Sequence, residues 1–448
     1  MTSPKPKRSS APHHRRLLAG GLAIVLAATA GACGRSSGSA GGGGKSTNGV
    51  LSAAPGYDPA TKTITLGVLT PTSTTAKLIS DPLTSGNKVF FDALNAKGGI
   101  AGKYKVKLIV KDNKYGGGDN TATATAYSQT KGDVAAFLQV LGTDPVNSIL
   151  SDLADDNIIA SPATLDSEWY EKPNLMPILA PYQVQAANAL WYYQNKMDGK
   201  GKKVCTMTSD DGYGKAGLAG AKHAADELNF KLVDNETFQS ALSGGSYTAQ
   251  IQTLQQKGCD AVWLTSLPTD TLGIFNAAIS KNFTPQWIGT SPTWIDLIAK
   301  TLPEYASKHY VVAAEGPEWG DTSVKGMTEM LAAVKKFAPK TAPNFYFAFG
   351  YMQAHAMSQV LEKAVKDGDL SRDGIMKAMN TVGTLTFDGT VADEAYGAPA
   401  DRKPQRETTM FKVTPDSVAS NGGLTLYAPD AKNFTSDVAK SVPLTSNG

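Results

Sequence analysis

Val204-Cys205-Thr206-Met207-Thr208, followed by Ser209-Asp210-Asp211-Gly212-Tyr213-Gly214, is the stretch on which the fold turns. The first five residues form an uncharged, β-branched and apolar run of strand length. Two aspartates and two glycines then make a turn, and from Gly214 to Leu228 apolar residues recur at helical spacing. The same alternation extends outward on both sides. Downstream lie strand Lys231 to Val233, helix Thr248 to Gln256, strand Ala261 to Thr265, helix Thr271 to Ser280 and strand Trp287 to Gly289. Upstream lie strands Ile64 to Val68, Val106 to Val110, Ala135 to Val140 and Ile158 to Ser161, separated by helices Gly86 to Ala96, Ala122 to Gln129 and Val146 to Leu153. Near-continuous apolar strands between helices require a parallel sheet covered on both faces. Two such series predict an α/β chain of two doubly wound lobes. The carboxyl ends of their strands, where ligands gather in open sheets, can then face each other across a cleft.

The chain opens with a basic head (Lys5, Lys7, Arg8, Arg15, Arg16), an apolar segment from Leu17 to Ala30, and Ala30-Gly31-Ala32-Cys33. This layout predicts a secretory signal peptide over residues 1–33, with an apolar part too short to span a bilayer comfortably. Small residues before a cysteine resemble the lipobox of bacterial lipoproteins, although Ala30 stands where Leu is more usual. The resemblance implies cleavage before Cys33 and a lipid on its sulfur; plain secretion is the alternative. Residues 34–60 read as a flexible tether, rich in Gly and Ser at its start. Gly44-Lys45-Ser46 hints at a phosphate loop, but the first glycine of that motif would fall on Ser39 and no strand precedes it.

The formal charge of +3 belongs to the leader, since removing its five basic residues leaves −2. A nearly neutral surface with no basic cluster argues against nucleic acid as a partner. Cys205 and Cys259 sit near strands that can be neighbours, so they either pair in an oxidising compartment or stay as buried free thiols, the plainer expectation. His223, His309 and His355 show no metal-ligand spacing, and the sequence has neither a Gly-x-Ser-x-Gly elbow nor a Gly-x-Gly-x-x-Gly turn after an opening strand. We therefore expect no metal, no cofactor and no enzyme, a secreted α/β enzyme being the residual alternative.

Gly98-Gly99-Ile100-Ala101-Gly102-Lys103, leading into Val106 to Val110 and Asp112, resembles the leucine/isoleucine/valine-binding protein family, the extracellular solute receptors of ABC importers. Three further segments fall in family order. Ile158-Ile159-Ala160-Ser161-Pro162-Ala163-Thr164 resembles the strand and loop that offer backbone and hydroxyl groups to a ligand carboxylate. Asp210-Asp211-Gly212-Tyr213-Gly214 resembles the loop whose tyrosine closes over the ligand from the second lobe. Tyr346 to His355 and Thr386-Phe387-Asp388-Gly389 resemble the return helix and last crossover. The resemblance covers roughly residues 62–415. It implies a type I periplasmic-binding-protein-like fold with a three-crossing hinge, no catalysis, and a site drawn from Thr143, Asp144, Ser161, Ala163, Thr164, Tyr213, Leu267, Ser291 and Trp294. Asp144-Pro145 can equally be the cap and first turn of a helix.

Departures from the family bear on the ligand. Amino-acid-binding members carry an acidic residue after the strand matching Trp287 to Gly289, whereas here the run is Thr290-Ser291-Pro292-Thr293-Trp294, with no carboxylate until Asp296. The tyrosine expected after Ala261 to Thr265 falls near Leu267. A buried ammonium without a counter-charge is very costly, so either Asp210, Asp211 or Asp296 supplies one or the ligand carries no amine. The expected division is residues 61–182 plus 320–384 for the first lobe and 183–319 plus 385–448 for the second, with crossings near Pro181 to Gln185, Ala314 to Trp319 and Leu385 to Phe387. The expected partners are a small-molecule solute, an ABC permease and, through the lipid, the outer face of the cell membrane, with the chain a monomer. A sensor presenting its solute to a membrane receptor is the alternative to transport.

Overall fold

The computed structural model describes residues 46–47, 50–115, 120–240 and 245–444. The expected leader, Cys33 and most of the tether lie outside the described residues. In the first lobe a two-residue strand, β1 (Tyr57–Asp58), pairs antiparallel with the start of β2 (Thr63–Thr70). From Leu66 onward every residue of β2 is buried, so both of its faces need cover. Parallel partners flank it: β3 (Lys105–Asp112) on one edge and β4 (Ala136–Leu141) on the other, with β5 (Ala160–Ala163) beyond β4. Strand β3 closes the sheet as its edge, and exposed Lys105 and Lys107 blunt that edge against pairing with another chain.

Helix α1 (Lys77–Ala96) starts well before the expected Gly86 and carries Pro82 in its second turn. Between β3 and β5 run α2 (Thr121–Thr130) and the short α3 (Thr143–Asn147) and α4 (Leu150–Asp155), where one helix was expected over 146–153. The second lobe begins with α5 (Tyr182–Lys196), then β6 (Val204–Ser209), α6 (Gly212–Glu227), β7 (Leu232–Phe238), α7 (Thr248–Lys257), β8 (Ala261–Thr265), α8 (Pro268–Ser280) and β9 (Gln286–Thr290). Two short helices, α9 (Asp296–Thr301) and α10 (Pro303–His309), lead into β10 (Tyr310–Ala314). The chain then returns to the first lobe through α11 (Lys325–Phe337), α12 (Phe345–Asp367), α13 (Arg372–Thr381) and a hairpin of β11 (Gly383–Leu385) and β12 (Glu394–Tyr396). It ends in the second sheet with β13 (Thr409–Val413) and β14 (Leu424–Leu426), giving the order β14-β13-β10-β9-β8-β6-β7, in which β13 alone runs against the others and pairs antiparallel with both β10 and β14.

Close backbone packing fastens the returning segment. A Cβ on Gly86 of α1 would lie 2.1 Å from the Phe347 carbonyl oxygen, and one on Gly350 of α12 would lie 1.9 Å from that of Leu83, so only glycine lets these helices approach so nearly. The third crossing differs from the expected place. Leu385, Phe387, Val391 and Tyr396 belong to the first lobe's core. Arg402 still donates to the Tyr170 and Lys172 carbonyls of that lobe, whereas Arg406 donates to Ala439 and Val442 in the second. The crossing therefore lies between Arg402 and Arg406, because apolar residues at 385–396 have a first-lobe core to fill. Cys205 and Cys259 are joined as a disulfide with Cα atoms 5.9 Å apart, correcting the free-thiol expectation. Pairing of β6 with β8 brings the two cysteines into reach, and such a bond persists in an oxidising compartment.

Candidate functional site

Strand ends build the site. In the first lobe β4 runs out at Leu141-Gly142 and β5 at Ala163-Thr164-Leu165, while the chain beyond β3 supplies Tyr115. In the second, Tyr213 follows β6, Leu267 follows β8, Ser291 and Pro292 follow β9, and Glu315 follows β10. Helix α1 adds Ile79 and Leu83, α5 adds Tyr182, and α12 adds Phe345, Tyr346 and Phe349. Together they surround a narrow cleft between the lobes. Gly142 sits at φ +106°, and a Cβ there would meet the Tyr115 ring at 2.7 Å, so glycine is what lets that ring close the wall.

The lobes are shut upon each other. The Gly212 N–H donates to Asp144 Oδ1 at 3.1 Å, and the Tyr346 hydroxyl donates to the Pro292 and Trp294 carbonyls at 3.0 Å each. Tyr213 is itself held from within the second lobe, by Thr290 Oγ1 at 2.5 Å and the Ser266 carbonyl at 3.3 Å.

Among the described residues the cleft lining carries no lysine, arginine or histidine, and the one acid there is Glu315. Burial pushes that carboxyl up to about 8, so it is mostly protonated at neutral pH. Its Oε1 accepts from Gln185 Nε2 and from Ser291 Oγ at 3.3 Å. The Tyr115, Tyr182, Tyr213 and Tyr346 phenols are also raised by burial and stay neutral. First turns of five helices converge here: Ile79 of α1, Tyr182 of α5, Tyr213 of α6, Phe345 of α12, and Leu267 capping α8. A helix amino terminus favours an anion or a carbonyl oxygen.

Of the residues expected from sequence, Ala163, Thr164, Tyr213, Leu267 and Ser291 line this cleft. Thr143 lies one layer behind, its hydroxyl bonded to that of Thr164 at 2.6 Å. Ser161 is buried deeper, where its hydroxyl accepts from Gln353 Nε2 at 3.0 Å. Asp144 serves the lobe contact described above. Trp294 faces a neighbouring chamber and packs with Tyr310 at 6.1 Å. None of the proposed counter-charges reaches the cleft: Asp211 caps α6 through the Gly214 N–H at 2.8 Å, Asp296 pairs with Lys300 at 2.5 Å, and Asp210 is not in the wall. Tyr115, Tyr182, Glu315, Phe345 and Tyr346 also line the cleft and were not among the site residues expected from sequence.

A family description, periplasmic binding protein, matches residues 63–422, spanning both lobes. The chain belongs to the periplasmic binding protein family. Solved structures share its fold. A fatty acid ABC transporter substrate-binding protein from Thermomonospora curvata superposes with a TM-score of 0.77 at 21% identity, over 87% of this chain and 96% of that one. A branched chain amino acid ABC transporter from Thermus thermophilus with bound valine gives 0.68 at 15% identity, over 86% and 98%. A leucine binding protein from Thermotoga maritima gives 0.66 at 16%, over 81% and 97%. No curated protein matches the sequence. The leucine/isoleucine/valine-binding resemblance drawn from sequence fits this company. As a periplasmic binding protein, the chain is a solute binder, and the walls of its cleft are what bear on the solute. Among the described residues no helix is long and apolar enough to cross a membrane.

Proposed function

We propose that this periplasmic binding protein captures a small organic acid with an apolar body, by closure of its lobes, and delivers it to an ABC permease outside the cell membrane, to which a lipid on Cys33 ties it. The observation that carries this reading is the chemistry of the cleft. Its described walls are largely apolar and aromatic, first-turn residues of five helices contribute to them, and their one acid, Glu315, is mostly protonated. A carboxylate there gains from the helix dipoles and can accept a hydrogen bond from the Glu315 carboxyl, Thr164 or Ser291. An ammonium gains nothing from helix amino termini, and among the described wall residues its counter-charge would have to come from ionising Glu315 against burial. The likeness to a fatty acid ABC transporter substrate-binding protein accords with an amine-free acid, and the likeness to a valine-bound neighbour keeps a branched aliphatic body in range. The lobe contacts at Asp144–Gly212 and Tyr346–Pro292 supply a closed state that a solute touching both walls selects.

The test is a thermal-shift screen of residues 34–448 against amino acids, amides, and aliphatic and aromatic acids. Amine-free acids should raise the melting temperature in a concentration-dependent way; hits confined to amine-bearing solutes would overturn the ligand class. Cys33→Ala should move the protein from the membrane fraction into the medium in its native host. Retention at the membrane would show that some other segment anchors it.

A further inference from the structure

Beside the cleft lies a second, larger chamber, at the meeting of α11 and α12 with the carboxyl end of β10. Its walls include Phe90, Trp319, Met327, Met330, Met352 and Phe411. The chamber and the cleft share Glu315, Phe345 and Tyr346. We propose that this chamber takes the aliphatic tail of a longer-chain acid whose head sits in the cleft, an inference that rests on the reading of the cleft given above.

Three observations favour an alkyl tail as the occupant. First, the acidic groups around the chamber are already engaged, and the His355 imidazole there packs against the Phe90 ring at 5.4 Å. Lys325 Nζ pairs with Asp388 at 2.6 Å and Glu329 at 3.7 Å, Lys300 with Asp296 at 2.5 Å, Glu318 accepts the Leu426 N–H, and Asn344 Oδ1 accepts the Tyr346 N–H at 2.9 Å. A polar solute would find few partners there. Second, three methionines give the walls flexible, polarisable side chains that suit chains of varying length. Third, the partition is unequally fixed. Tyr346 is anchored through its hydroxyl at both Pro292 and Trp294, whereas the half-buried Phe345 is held only by packing, its ring 4.1 Å from that of Tyr346. Rotation of Phe345 opens a path past Glu315, so the acid head stays beside the protonated carboxyl while the tail leaves the cleft.

Straight-chain saturated acids from butanoate to hexadecanoate, titrated calorimetrically into residues 34–448, test this. Once the chain outgrows the cleft, affinity should keep rising by roughly two- to fourfold per methylene buried. Met330→Trp, which fills the chamber and lies outside the cleft wall, should erase the gain for dodecanoate and leave the butanoate dissociation constant as it was. In the unaltered protein, dodecanoate brominated at its terminal carbon should quench Trp319, a signal lost in Trp319→Phe, while the acid brominated beside its carboxyl should not. Short acids that bind with no further gain on lengthening, or equal quenching by both brominated acids, would overturn the chamber and leave the cleft standing. Failure of every acid at every length would overturn both.

Discussion

Replacing Tyr213 with alanine is expected to weaken binding of the solute at least about thirtyfold, the equivalent of roughly 2 kcal/mol for an aromatic anchor. The ring is buried and forms the second lobe's wall over the cleft, 4.7 Å from the Tyr182 ring at the start of α5. Its hydroxyl sits between Thr290 and Ser266, at the ends of two adjacent strands, so the ring is oriented before any solute arrives. Truncation removes apolar contact with the solute, leaves the Ser266 carbonyl without this donor, and enlarges the cavity that the solute must fill. Tyr213→Phe keeps the ring and loses only the anchor, so its effect should be a few-fold. Calorimetric titration of a solute from the thermal-shift screen, with melting temperatures of each unliganded variant as the folding control, separates these outcomes. An unchanged dissociation constant in Tyr213→Ala would remove that residue from the site.

The two sheets were legible in the sequence because their signal is local. Ala261 to Thr265 is apolar from end to end, and the structure places a strand over those same residues. The five expected residues that line the cleft share one property: each lies at or just past the carboxyl end of a strand that periodicity could find. Ser161 was misplaced because it lies three residues before Thr164, inside the strand, where α12 rather than the cleft covers it. Trp294 was misplaced because a tight turn at Ser291–Thr293 swings the chain away from the cleft. Glu315 could have been found by the same rule, had Tyr310-Val311-Val312-Ala313-Ala314 been read as a strand. Phe345 and Tyr346 offered no such signal. They begin a helix that crosses from a distant part of the chain, so their place in the cleft depends on lobe packing alone. The third crossing was misread for a related reason, since the hairpin at 383–396 is tied to the first lobe by contacts such as Glu394 Oε1 accepting the Leu179 N–H at 2.7 Å.

Affinity for an acid should be constant between pH 6 and 7, then fall by up to about tenfold per pH unit above pH 8, and Glu315→Gln should flatten the profile. Burial raises the Glu315 carboxyl from the ordinary glutamate range to about 8 in the folded chain. Below that value it is neutral and can donate to a bound carboxylate. Above it, a second negative charge stands in the same enclosed space, and two like charges about 4 Å apart repel by roughly 4 kcal/mol at an effective dielectric of 20. Linkage fixes the sign. A bound anion raises the carboxyl further, so binding near pH 8 to 9 takes up a proton, and the dissociation constant climbs as protons become scarce. No other ionisable side chain of the cleft wall imitates this, because the four tyrosines there are all raised by burial and stay protonated through the range. Calorimetry in buffers of different ionisation enthalpy measures the proton uptake directly. An ammonium-bearing solute would give the reverse slope, tightening as Glu315 ionises to meet it. The same raised carboxyl makes unliganded stability fall as pH rises from about 4.5 towards 8, and buried Glu394, also raised to about 8, contributes a parallel decline. Glu315→Gln should therefore remove only part of the stability slope while removing nearly all of the binding slope. A binding profile of Glu315→Gln that still turns down above pH 8 would place the titrating group elsewhere.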